Sequence, residues 1–524
     1  MASARLPFAW ILLHGFAIVF VLLNLLTGLR IATLTKSWLL SVSALLPQGE
    51  MHWLHIAGGM GITAVAIGFC CYSWQLQSVN KKRGGRRSYH RGVIWFGYGL
   101  VISAIVSGWL LLFDNSQWLP HADWHFYTAL GLVIYLLLHG GGYFIDWGWP
   151  AVRRVILPAW RNHLISSISL LVAGVAALGL YLGLGQQPSA TLNVKRIPLQ
   201  TFINIDGVAD ETVWQQTQAI TLMTQGGANF INGKTPVTLQ AVENGVEVFF
   251  HVRWRDATHS RKHLPLLKTA SGWQVQHDGF ASFDEVTYYE DKFAIMLSPS
   301  CEPGGGGTAH LGPQPLPDHP ANWHGKGYHY SDDGQVRDIW HWKAVRTNDM
   351  YLADDNFFAA PFPPQAGERR YTAGYLPDGK ESGAYVMNWT WFKPDRVTPK
   401  RLPIDPTSLA PYQYGADGLS WVISWFDYAP YEPADDNYPV GTVMPSVMYR
   451  SNRFEGDRAD VRARGKWHDG WWSLELTRRL TTNSRHDVAI ESGICVWLSA
   501  FDHSQIAHTR HQQGIKLLLE PTHD

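Results

Sequence analysis

Apolar and polar positions fall into two regimes along the chain. The first holds five uncharged apolar stretches, Leu6 to Leu29, Leu54 to Leu76, Gly92 to Phe113, His125 to Ile145 and Leu164 to Leu184. Each is about 20 residues, enough to cross a hydrocarbon core of ~30 Å at ~1.5 Å per residue. A removable signal peptide would be one short apolar stretch, so the first helix is expected to be retained. From Thr201 onward the pattern changes to short alternating segments, such as Val246 to Trp254, Lys292 to Leu297 and Trp471 to Leu476, broken by Gly, Pro, Asn and Asp. These predict antiparallel strands of a β-sandwich, with long loops decorating a domain large for that architecture.

The expected organisation is multi-domain: an all-α transmembrane bundle followed by an all-β sandwich. Residues 1–163 form four core helices, residues 164–190 the fifth span and a linker around Gln186-Gln-Pro-Ser-Ala190, and residues 191–524 the outer domain.

Charge adds orientation. The chain carries 43 Lys+Arg and 43 Asp+Glu, which argues against a nucleic-acid partner. The balance hides a split, because the residues up to Gln187 carry twelve basic and four acidic side chains, and an equal acidic excess follows. The basic residues cluster between spans two and three (Lys81 to Arg91) and between spans four and five (Arg153, Arg154, Arg161). Loops rich in Lys and Arg stay in the cytoplasm. The N-terminus is therefore expected inside a bacterial inner membrane and the C-terminal domain in the periplasm, where its acidic excess would suit a basic redox partner. Four cysteines, Cys70, Cys71, Cys301 and Cys495, form neither a CxxC pair nor a CxxCH, so any haem must be held without covalent attachment. Cys301 and Cys495 are placed where a disulfide is chemically permitted, but spacing alone cannot pair them.

Ionisable side chains at membrane depth demand a reason. They are His14 in span one, His55 opening span two, and His125 and His139 in span four. Fourteen residues are about 3.9 turns, which brings His125 and His139 within about 40° of one helix face and ~21 Å apart along it. Following the direction of each span, His14 and His139 match at the inner level and His55 and His125 at the outer level. Any one alone reads better as an interfacial or interhelical packing histidine. Two depth-matched pairs favour two low-spin haems, each held by two imidazoles. His52 is a second candidate beside His55; His90 and His121 read as loop residues.

The segments His14-Gly-Phe, Leu25-Leu-Thr-Gly-Leu-Arg30, His55-Ile-Ala-Gly-Gly, Ser107-Gly108 and His125 to His139 resemble the dihaem cytochrome b subunits of formate dehydrogenases and nickel-iron hydrogenases. The resemblance covers roughly the first 165 residues. It implies two b haems in a four-helix core and quinone exchange at the membrane.

Asp291 to Met296, Asp338-Ile-Trp-His-Trp-Lys343 and Gly456 to Trp471 followed by Glu475-Leu-Thr-Arg-Arg-Leu480 resemble the haem-binding domain related to the gamma subunit of ethylbenzene dehydrogenase, over roughly residues 200 to 520. That resemblance implies a third, noncovalent b haem, with Met and Lys as the family's axial ligands. The loop Gly304 to Leu311 lacks a Met and offers His310, with His324 and His329 as alternatives. Towards the C-terminus His508 is preferred over His511, with Lys516 inside the terminal strand; Met296 and Met448 read first as core residues, Met448 being a further alternative ligand.

The expected function is that of a membrane cytochrome, an electron carrier without substrate chemistry of its own. It would pass electrons between the quinone pool, in contact with membrane lipid, and a periplasmic cytochrome or metalloenzyme. The alternative is a carbohydrate- or ligand-binding module tethered to the membrane without an outer haem, its stacking platforms drawn from the 25 Trp.

Overall fold

A computed structural model of the chain describes residues 8–34, 36–47, 51–79, 88–113, 121–150, 168, 171–176, 178–179, 190–306, 310–311, 327–364, 371–379, 385–393, 396–413, 419–423, 426–449, 456–511 and 513–521. They form two compact units dividing near residue 187, with His310 and Leu311 grouped with the first.

In the first unit, four stretches predicted from apolar runs are helical: α1 (Phe8–Ala32), α2 (Met51–Val79), α3 (Ser88–Phe113) and α4 (His121–Leu136), the last continuing through a π turn (Leu137–Gly141) into α5 (Gly142–Trp147). The four helical runs are long and apolar enough to cross a membrane. They leave large apolar side chains uncovered, among them Val19, Trp95, Ile102, Leu137 and Ile145. A water-soluble bundle would bury such a surface, whereas a bilayer solvates it. Most of the predicted fifth span lies outside the described residues. His121 opens α4 and His90 lies in the first turn of α3, so neither is a loop residue.

The second unit is built on twelve strands: β1 (Ala190–Arg196), β2 (Ile220–Gln225), β3 (Lys234–Glu243), β4 (Glu247–Arg255), β5 (Lys292–Ser298), β6 (Arg337–Lys343), β7 (Asp354–Phe358), β8 (Tyr375–Pro377), β9 (Arg462–His468), β10 (Trp471–Arg479), β11 (Cys495–Phe501) and β12 (Ile515–Leu519). Their order is β8-β7-β6-β5-β11-β12-β1-β3-β4-β10-β9, with β2 added on β3. β1 is the seam: residues 190–194 pair with β12 and residues 195–196 with β3, both in parallel. The all-antiparallel expectation thus fails at β1, and again in the smaller pairing of Val422–Ile423 with Val447 and Met448, which is also parallel.

The two halves pack face to face. Inward positions alternate along β3 and β4 (Val237, Leu239, Ala241, Phe250, Val252, Trp254) and meet Phe293, Ile295, Trp340, Trp342, Val496 and Leu498 in one core. Trp254 stacks on Phe293 at 4.7 Å and meets Trp342 edge-on at 5.9 Å, contacts that add to simple burial.

The excess length is not spent only on loops. Strands Leu266–Thr269, Gly272–Val275, Trp389–Lys393, Arg396–Pro399 and Val443–Met444 form a five-stranded sheet. Its core of Leu266, Trp273, Trp389, Ile423 and Met444 is separate from the main one. Cys301 and Cys495 are joined as a disulfide, their Cα atoms 5.2 Å apart, fastening the loop after β5 to the start of β11.

Candidate functional site

The four membrane histidines are brought together as two pairs. His14 of α1 faces His139 of the π turn with ring centroids 6.4 Å apart, and His55 of α2 faces His125 of α4 at 5.9 Å. His139 reaches His14 even though the helix departs from its regular period there, so the one-face arithmetic is replaced by a π turn that re-aims the ring. Such turns recur at functional sites.

Each member of the second pair is held by a hydroxyl and given room by a glycine. His55 Nδ1 hydrogen-bonds Thr27 Oγ1 at 2.9 Å, and His125 Nδ1 hydrogen-bonds Ser107 Oγ at 2.9 Å. The next residue is glycine in both cases. A Cβ on Gly28 would come within 2.9 Å of His55 Cε1, and one on Gly108 within 3.3 Å of His125 Cε1. The hydroxyls engage Nδ1 and leave Nε2 for another partner, the outer-layer arrangement that orients ligating imidazoles. Thr27 and Ser107 were visible in the sequence only as neighbours of glycines.

The first pair has aromatic walls. Trp10 stacks on His14 at 4.6 Å and Tyr135 on His139 at 5.1 Å. Tyr143 touches both His139 and His90, at 5.0 and 4.5 Å between ring centroids. His90 is buried, and its Nε2 meets Asp146 Oδ2 at 2.7 Å.

In the second unit the structure sorts the candidate ligands by their hydrogen bonds. His511 Nε2 accepts from the Leu498 amide at 2.9 Å, and its Nδ1 donates to the Gln513 carbonyl at 2.6 Å. Both nitrogens of His511 are engaged by the backbone. His508 Nδ1 donates to the Thr509 carbonyl at 2.9 Å, which makes Nε2 the lone-pair nitrogen.

Burial pushes the His508 imidazole down to about 4, with Arg510, His329 and Lys292 also opposing its protonation. His341, absent from the sequence candidates, adjoins it electrostatically and is itself held well below the usual histidine range by burial first. Phe501 packs on both, at 5.4 Å from His341 and 4.9 Å from His508. Lys292, also unforeseen, is buried with Nζ donating to the Gln505 carbonyl at 2.8 Å and lying 4.0 Å from the Phe501 ring centroid. His310 is buried and His329 exposed, and His324 lies outside the described residues. Met448 packs against the smaller core, Met296 lines the contact with Gly305, and Lys516 is exposed on β12.

Acidic and basic residues of these sequence segments act as braces. Buried Glu475 accepts from the amides of Asp206 and Gly207 and from Trp214 Nε1, closing the Ile205 to Trp214 turn onto β10. Gly207 has φ +80° with the β9 backbone against it, so no side chain fits there.

His251 and His511 supply a pH prediction. Burial lowers both to about 4, and both are locked as neutral rings by hydrogen bonds at each nitrogen. Their folded-state values lie below the unfolded value of about 6.5. The stability they contribute is therefore present above that value and lost as pH falls from about 6.5 towards 4. Melting followed by tryptophan fluorescence should show Tm falling through that window; a flat profile would contradict it.

Fold and site together define a β-sandwich protein carried on a four-helix apolar unit with paired histidines. The ethylbenzene dehydrogenase family model matches residues 211–513, more than half of the chain, and the chain belongs to that family. No curated protein matches it significantly. Among solved structures it is similar to a protein from Bacteroides uniformis ATCC 8492 described as carbohydrate-binding (8% identity, 64% of this chain, 100% of that chain, TM-score 0.27). It is also similar to a family 9 carbohydrate-binding module from Caldicellulosiruptor kristjanssonii solved with glucose (8% identity, 64% of this chain, 97% of that chain, TM-score 0.22). Superpositions this loose carry no function across.

Proposed function

We propose that the protein is a membrane-bound multihaem cytochrome of the electron-transfer type, linking the quinone pool to a redox partner outside the cytoplasm. The observation that carries this reading is the meeting of four membrane histidines as two facing pairs at 6.4 and 5.9 Å. Two imidazoles sharing one metal ion, with metal–nitrogen bonds of about 2 Å, have ring centroids about 6 Å apart. The residues therefore fit two haem irons, His14 with His139 and His55 with His125. Haem would supply reversible one-electron chemistry at iron.

The chain's own residues do the positioning. Thr27 and Ser107 fix the tautomer and rotation of His55 and His125. Gly28 and Gly108 keep the space beside those rings open. Arg30, buried in the same helical turn as Thr27 and Gly28, places a positive charge that suits an anionic substituent. His90 and Asp146, reached from His139 through Tyr143, form a proton-exchanging pair suited to a quinol or quinone at the inner level.

In the outer unit a third haem would be held by His508 together with His329, whose charge reaches the His508 ring; His310, the partner first expected, groups with the first unit. The basic loops support a cytoplasmic N-terminus with the sandwich outside. A disulfide between Cys301 and Cys495 supports that location, because such bonds persist in oxidising compartments. The partner is a periplasmic cytochrome or metalloenzyme.

The test is the dithionite-reduced minus oxidised spectrum of the purified chain with pyridine haemochrome quantitation. Three noncovalent b haems are expected. Two would remove the outer relay, and none would overturn the reading.

A further inference from the structure

The sandwich buries two groups of acidic side chains, and they are solved differently. Asp338, Asp355 and Asp487 surround Arg478, whose Nη1 lies 2.5, 3.8 and 3.3 Å from their carboxylates. The guanidinium supplies the compensating cation there. The second group joins the end of β4, the start of β5 and the end of β11. It consists of Asp256, Asp291 and Asp502, all buried, with His503. Among the described residues no lysine or arginine forms an ion pair with these three aspartates; the one partner is His503 Nδ1, against Asp502.

Ligand-capable atoms of Asp291, Asp502 and His503 lie within 4.8 Å of one another. Asp291 Oδ2 accepts from the Ser260 amide (2.7 Å) and Trp472 Nε1 (3.1 Å), and Oδ1 accepts from the His503 amide (2.9 Å), which fixes the carboxylate and leaves a lone pair on Oδ1. Thr258 Oγ1 bridges Asp256 Oδ1 (3.3 Å) and Asp502 Oδ1 (3.1 Å), which links Asp256 to the group through one hydroxyl. Its other oxygen, Oδ2, is sealed from solvent with no hydrogen-bond partner among the described residues. His503 is held at φ +31°, a backbone conformation that non-glycine residues rarely adopt, and its Nδ1 lies 3.2 Å from Ser260 Oγ. Burial and mutual repulsion raise the carboxyls of Asp256 and Asp291 above their usual range. A buried, uncompensated carboxylate oxygen is costly, and the Arg478 cluster shows that this fold supplies a cation where it gathers acids.

We infer that Asp291, Asp502 and His503, completed by Asp256, form a structural site for a divalent transition-metal ion of the zinc class. An imidazole among the donors favours zinc over calcium or magnesium, which take oxygen ligands throughout. Ligand atoms in a tetrahedral zinc site stand about 3.4 Å apart, so with Asp291 fixed the closing movement falls to Asp502 and His503. The ion would tie three strand ends together at the edge of the sandwich. The inference is independent of the haem reading, since none of its residues is a proposed haem ligand.

The experiment uses the full chain in detergent, stripped with EDTA and titrated with Zn2+ by calorimetry, with Tm followed by tryptophan fluorescence. The parent protein should take up one equivalent that His503→Asn does not, and only the parent should gain several degrees in Tm. Asn tolerates the left-handed backbone, so this variant retains the fold, and an unchanged haem spectrum checks that it does. Asp256→Asn should lose the same equivalent. Equal uptake by parent and His503→Asn, no uptake by either, or stabilisation by Ca2+ in place of Zn2+ would overturn the site.

Discussion

His139→Ala should remove one haem from the protein and leave the others. The prediction follows from the pairing of His139 with His14, 6.4 Å apart, while the His55–His125 pair is made by different side chains. Fourteen residues of helix separate the two levels by about 21 Å, so loss of one imidazole does not reach the other pair. Haemochrome quantitation should fall by one equivalent, with helical content by circular dichroism unchanged. His55→Ala should remove the other membrane haem in the same way. Thr27→Val, which takes only the hydroxyl from His55 Nδ1, should weaken retention by about 10–100-fold, the usual effect of removing an outer-layer partner of a ligating histidine. Unchanged haem content in His139→Ala would refute the assignment of the inner pair.

Those four histidines were legible because a charge-free apolar background makes each one conspicuous, and because depth in a membrane follows directly from sequence position. The regular helical period was the weaker step, since the π turn at Leu137–Gly141 changes the phase at His139 itself. His90 was misread because Arg91 and the basic loop before it mask the start of α3, although its burial and its contact with Asp146 make it part of the inner end.

In the sandwich, strands β4, β5 and β10 were readable from alternation. The smaller sheet was not, because strands of two to five residues are drawn from segments more than a hundred residues apart. The choice between His508 and His511 is open in sequence, and the hydrogen bonds add that His511 uses both ring nitrogens while His508 uses Nδ1. His341 and Lys292 were hidden inside strands whose apolar neighbours dominate the pattern. Arg478 and Asp338 stood in the segments that carried the family resemblance, and the structure gives them a structural role.

Arg478→Met should be among the most destabilising single substitutions in the outer domain. Arg478 is fully buried, with Nη1 2.5 Å from Asp338, Nη2 donating to the Val488 carbonyl at 2.7 Å and its guanidinium 5.0 Å from the Trp340 ring centroid. Removing it leaves Asp338, Asp355 and Asp487 together in a low-dielectric interior. Breaking a buried ion pair from one side costs about 3–5 kcal/mol, a large share of a typical stability of about 5–15 kcal/mol.

Arg478→Lys should fall between, since a point charge survives but the planar fork that reaches two carboxylates and a carbonyl does not. The deficit should also depend on pH. Burial first, then mutual repulsion, already raises the Asp355 carboxyl well above its usual range, and burial raises that of Asp487 to about 8. Carboxyls with raised folded-state values stabilise the fold below their unfolded value of about 4 and lose that contribution as pH rises. Without the guanidinium those values rise further, so the gap between Arg478→Met and the parent should be widest at neutral pH and close on acidification. Tryptophan-reported melting of both proteins between about pH 5 and 8 measures it, and a gap independent of pH would mean that Arg478 acts through packing on Trp340 and not through its charge.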